Sequence, residues 1–104
     1  MIRHIVAWHF KDNFTDEEKT SLGQKIKEEL EALKSVIPGI VSLEVITELL
    51  DTSTHDVVLC SLHEDEEALK AYQTHPEHIR VGGFIKSVTA NRVCVDFKQK
   101  SVGQ

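Results

Sequence analysis

Cysteine and proline are scarce in this chain, with two of each, and tryptophan and tyrosine occur once each. Cys60 and Cys94 both sit inside apolar runs, "VVLCSL" and "RVCVDF". That placement argues against a disulfide framework or a zinc knuckle and predicts buried, reduced thiols. Positive charge is also in short supply. Twelve Lys and Arg face seventeen Asp and Glu, for a formal net charge of -5. A basic footprint for nucleic acid is therefore missing, as is a Lys/Arg-rich apolar helix for an anionic membrane surface. No apolar run approaches the ~18 residues of a membrane span. The opening "MIRHIVAWHF" has neither the long apolar core nor the small-residue cleavage site of a signal peptide. A cytoplasmic protein with no nucleic-acid or membrane partner is expected. The serines lack a nucleophile-elbow context and "VGGF" is not a phosphate-binding glycine loop.

What is present is patterned. With 104 residues the chain is long enough for one domain, expected over residues 1–98 with a frayed tail at 99–104. In "IRHIVAWHF", Ile2, His4, Val6, Trp8 and Phe10 alternate with Arg3, Ile5, Ala7 and His9, which predicts a strand apolar on both faces. Thr15 and Glu18 make a capping box for a helix carrying Leu22, Ile26, Leu30 and Leu33 on one stripe. That helix should stop near Val36, before Pro38-Gly39. A second strand is predicted over Ile40–Leu49, with Val41, Leu43 and Val45 on one face, and a third over His55–Leu62. A second helix should begin at about Asp65. Pro76 closes it and opens another segment, which places His75 at the junction. Gly82-Gly83 either weakens that segment or lets something approach its backbone. A fourth strand is predicted over Arg92–Phe97.

The order β-α-β-β-α-β predicts an α+β, ferredoxin-like protomer: a four-stranded antiparallel sheet in the order 4-1-3-2 with helices on one face. Cys60 and Cys94 would then lie two strand spacings apart, about 9–10 Å, beyond disulfide reach. The helices cover one sheet face only, yet both faces are apolar, and an exposed face of that kind is an interface. Two such sheets stacked face to face would gain a gross driving force on the order of 10 kcal/mol before association costs. A homodimer through the sheet face is expected.

The opening "MIRHIVAWHFK", the "IPGIVSLEV" turn and strand, the block "HDVVLCSLHEDEEALKAYQTHPEH" and the closing "NRVCVDF" together resemble the stress-responsive dimeric α/β-barrel (Dabb) family. The most specific stretch is "EALKAYQTHPEH". The resemblance implies the two-sheet barrel dimer and a stress-related or small-molecule-binding role with no assigned catalysis. Some members are polyketide cyclases with a pocket between sheet and helices. Their pocket histidines and tyrosine match His4, His55, Tyr72 and His78 here. In that alternative, a cyclase-like or other lyase or isomerase activity, His78 is the general base and Tyr72 the hydrogen-bond donor. His4 and His55 then bind polar substrate groups beside Trp8. Against it stand plain structural roles: His4 and His55 as core histidines, Tyr72 as a core aromatic, His78 hydrogen-bonding locally. Trp8, Phe10 and Phe84 could also fill the pocket. His75 and His78 are three apart, but Pro76 prevents them from sharing a helix face, so no metal or other cofactor is expected.

Overall fold

The computed structural model describes residues 1–100. Its elements run β1 (Ile2–Phe10), α1 (Asp16–Glu31), β2 (Ile40–Ile46), β3 (Val57–His63), α2 (Glu66–Thr74), α3 (Pro76–Val88) and β4 (Thr89–Lys98). The sheet order is β2-β3-β1-β4, with every pairing antiparallel. This is the expected ferredoxin-like arrangement, with β1 central and β2 and β4 at the edges. Of the expected tail, Gln99 is still tied down: its N–H donates to Met1 O at 2.9 Å, and its side chain accepts from Arg3 Nε at 2.8 Å. Residues 101–104 lie outside the described residues.

Local chemistry sets the ends of the helices. The Thr15 hydroxyl accepts from the Glu18 N–H and the Glu18 carboxylate accepts from the Thr15 N–H, so two otherwise orphaned donors of α1 are satisfied. The α-helix stops at Glu31, and a 3₁₀ turn over Ala32–Ser35 carries the coil to the Pro38-Gly39 turn. Gly39 has φ +90°, and a Cβ there would sit 2.8 Å from Ala68 Cβ, so glycine is required twice over. Asp65 caps α2 by accepting from the Ala68 N–H. His75 ends α2 and caps α3, its Nδ1 accepting from the Glu77 N–H at 3.1 Å, with Pro76 in the first turn. At edge strand β2, Lys27 Nζ donates to Val45 O and Glu31 accepts from the Val45 N–H, which occupies that edge against strand addition.

Along β1 burial alternates residue by residue, as period-2 patterning requires. Ile2, Val6, Trp8 and Phe10 face the helices and join Ile26, Leu30, Leu59, Val81 and Ile85 in the core, and His4 is buried on the same face. In β2 an irregularity between Ile40 and Ser42 turns Val41 outward, so it does not share the buried face of Leu43 and Val45.

The outer face carries Ile5 and Ala7 of β1, Val58 and Cys60 of β3, and Val93, Val95 and Phe97 of β4, the last three each about half exposed. The cysteines correct an expectation. Cys60 is half-buried on the outer face and Cys94 is exposed on the helix side of edge strand β4. Both thiols are free, and they lie on opposite faces of the sheet.

Candidate functional site

The helix-facing side of the sheet holds a cluster of neighbouring polar residues. His4 on β1 pairs with Ser61 on β3 and with Asp96 on β4, and His63 lies two residues beyond Ser61 on the same face. His4, Ser61 and His63 are all buried. Above them stands Tyr72 of α2, fully buried, its ring centroid 4.9 Å from His63, 6.1 Å from His4 and 4.4 Å from His78 at the start of α3.

Hydrogen bonds assign tautomers within this cluster. His4 Nδ1 is in short hydrogen-bond contact with an Asp96 carboxylate oxygen, and because a carboxylate accepts, Nδ1 carries a proton. His78 Nδ1 lies 3.2 Å from Gln73 O; a carbonyl only accepts, so Nδ1 holds the proton of the neutral ring and Nε2 is free. Burial lowers the pKa of His78, an effect opposed by the Gln73 hydrogen bond. His63 is pushed down to about 4, by burial first and then by the charge of His4. Burial pushes the Tyr72 phenol up. Two fully buried polar atoms, His63 Nδ1 and the Tyr72 hydroxyl, have no hydrogen-bond partner among the described residues.

Beside the cluster, between sheet and helices, is a cavity of about 500 Å³. Val6, Trp8, Leu30, Leu59 and Ile85 give it an apolar floor, and His4, His78, Lys86, Asn91 and Arg92 bring polar groups to its wall. Asn91 sits at φ 53°, beside the register shift where β4 leaves and rejoins β1. Asparagine tolerates that left-handed conformation, and the irregularity turns the start of β4 around the cavity mouth. Gly82 also lines the wall, and a Cβ there would meet nothing within 4 Å. The diglycine therefore admits no close backbone neighbour within the protomer. Trp8 forms part of the wall, and Phe10 and Phe84 are not among the lining residues, so the space is not plugged.

Of the residues singled out in the sequence, His4, Trp8 and His78 meet at this cavity. Tyr72 does not reach its wall; it lies behind His78. His55 is elsewhere. β3 starts at Val57, because Asp56 uses its carboxylate to accept from the Phe10 N–H at 2.9 Å and the chain then leaves the ladder. His55 instead stacks on His9 with ring centroids 4.2 Å apart, on the outer side of β1. The expectation that His4 and His55 share one cavity is thus corrected. Sequence reading missed Asp96 and His63. Continuing the period-2 pattern of β3 by one residue puts His63 on the face of Leu59 and Ser61, and antiparallel register sets Asp96 opposite His4.

Fold and cavity together define a ferredoxin-like protomer with a small-molecule-sized chamber between its layers. The chain belongs to the stress-responsive A/B barrel domain family, whose model matches residues 2–99. It is similar to a dimeric protein of unknown function and ferredoxin-like fold from Bacteroides fragilis, at 32% identity and TM-score 0.87 over 94% of this chain and 95% of the other. A dimeric ferredoxin-like protein of unknown function from Thermobifida fusca matches at 26% identity and TM-score 0.79, over 94% and 90%. One from Jannaschia sp. matches in fold at 19% identity and TM-score 0.77, over 94% and 98%. No functionally curated protein matches the chain in sequence. No helix of the described residues is long and apolar enough to cross a membrane.

Proposed function

We propose that the chain works as a homodimeric small-molecule-binding protein, taking a ligand with an apolar body and an anionic or carbonyl oxygen head into the chamber between sheet and helices. The observation that carries this reading is the composition of the chamber. An apolar floor around Trp8 faces a wall that holds two cations, Lys86 and Arg92, and two imidazoles, His4 and His78. Apolar walls with a few convergent polar groups are the usual make-up of a ligand site. The outer face, with Val93, Val95 and Phe97 exposed, supports pairing with a second copy, as does the dimeric state of the proteins it resembles. Native mass spectrometry for a co-purified ligand, followed by NMR titration with small carboxylic acids and ketones, tests the reading. Shifts of the Trp8 indole and the His78 ring are expected; cavity signals that stay put at millimolar ligand would sink it.

A second reading, proton abstraction next to a carbonyl in a lyase or isomerase, is favoured by one observation: His78 keeps Nε2 free while Gln73 O holds Nδ1. His78 is then the base, and Tyr72 becomes a donor only once His78 swings aside. Deuterium exchange at the α carbon of a bound ketone, abolished in His78→Ala, is its signature.

A further inference from the structure

We propose that His4, Cys94 and Asp96 form a binding site for a thiophilic divalent metal ion of the Zn²⁺ class. Asp96 is paired directly with His4 across β1 and β4, and Cys94 precedes it by two residues on the same side of the strand. Their donor atoms all lie within 4.8 Å of one another. Cys94 Sγ is 3.8 Å from His4 Nδ1 and 3.7 and 3.6 Å from the two Asp96 oxygens, while His4 Nδ1 touches Asp96. Tetrahedral zinc, with its ordinary bond lengths to S, N and O, sets sulfur about 3.5–3.6 Å from nitrogen or oxygen and nitrogen about 3.3 Å from oxygen. The sulfur distances already agree within a few tenths of an ångström. Only the exposed Asp96 carboxylate has to swing away from His4 to admit the ion.

The donor set suits this class of ion. One thiolate, one imidazole and one carboxylate match Zn²⁺ or Co²⁺, whereas Mg²⁺ and Ca²⁺ call for oxygen ligands throughout. Thiolate and carboxylate together supply two negative charges against the dication, and three protein ligands leave a fourth position open. Binding displaces the thiol proton of Cys94 and the Nδ1 proton of His4, leaving the ring neutral with its proton on Nε2. The site is also partly preorganised. His4 is buried and its ring is flanked by Tyr72 and His63, while Cys94 and Asp96 are exposed on an edge strand, so an ion enters without opening the core. Burial, and next the charge of Asp96, push the Cys94 thiol pKa up, and Arg92 offsets only part of that. His4 also lines the chamber, but a chain that binds no organic ligand can still hold the ion.

Co²⁺ titrated into the chelator-stripped protein tests it. One equivalent per chain should give a thiolate-to-cobalt charge-transfer band in the near ultraviolet and strong visible d–d bands, both displaced by Zn²⁺. Cys94→Ser should remove the charge-transfer band. Asp96→Asn should weaken binding at least tenfold, and Cys60→Ser should change neither. The two β4 variants alter exposed side chains with near-isosteric ones, and circular dichroism confirms that they fold. No charge-transfer band at saturating Co²⁺, a band that survives Cys94→Ser, or one that depends on Cys60 would each overturn the proposal. So would d–d bands without thiolate character, the mark of surface histidines.

Discussion

The rings of Tyr72 and His78 pack 4.4 Å apart, yet the Tyr72 hydroxyl is fully buried and finds no hydrogen-bond partner among the described residues. Leaving a buried hydroxyl unpaired costs about 1–3 kcal/mol. Removing it should therefore relieve the fold. Tyr72→Phe is expected to unfold at equal or higher temperature, by roughly 4–8 °C for each kcal/mol recovered in a domain of this size. A lower melting temperature would show that the hydroxyl is satisfied in the native protein and that its role is structural.

Gly82 and Gly83 provide a matched pair for testing the chamber. A Cβ at either position meets nothing within 4 Å, but only Gly82 lines the cavity. Glycine inside a helix costs roughly 0.5–1 kcal/mol relative to alanine. Gly82→Leu and Gly83→Leu should thus both leave stability unchanged or raised. Only Gly82→Leu should put a side chain into the chamber and weaken ligand affinity, by at least tenfold in calorimetry or NMR titration. Equal effects on binding from both variants would dismiss the chamber as the ligand site.

These two pairs also mark what the sequence conveys. The strand order and the helix junction at His75-Pro76 were legible because period-2 alternation, the Thr15 capping box and proline stereochemistry act locally. Alternation put His4 and Trp8 on one face of β1, whereas the place of His78 beside them came from the family resemblance alone. His55 went astray because a strand's first residue is set by where pairing ends, and here the Asp56 side chain takes the Phe10 N–H. His63 and Asp96 were overlooked for a related reason: what they touch depends on antiparallel register, which no single strand carries. The apolar neighbours of Cys94 suggest burial, but its place on an edge strand leaves it open.

His63 makes stability depend on pH. Burial, and next the charge of His4, hold its folded-state pKa at about 4, against an ordinary value of 6.5. Below pH 6.5 the unfolded chain takes up a proton that the folded chain refuses, so stability falls as pH drops from about 6.5 to about 4 and this contribution is flat outside that window. The full effect is on the order of 3 kcal/mol for a shift of this size. Urea unfolding at pH 7 and pH 4.5, with chelator present, should show this loss in wild type and a markedly smaller one in His63→Gln. An equal pH dependence in both would mean that other groups dominate.

Val95 sits on the outer face of β4, paired with Ile5 of β1, and is 57% exposed. In a two-fold dimer each substitution is made twice at the interface, so a charge placed there is desolvated on both sides. Val95→Glu should convert the proposed dimer to a monomer at micromolar concentration in light scattering coupled to size exclusion. Leu50 is 78% exposed but lies in the β2–β3 connection, outside the sheet face. Leu50→Glu should therefore leave the dimer intact, which separates loss of the interface from a general gain in surface charge. A monomeric wild type, or a Val95→Glu variant that stays dimeric, would mean that this face is not where two copies meet.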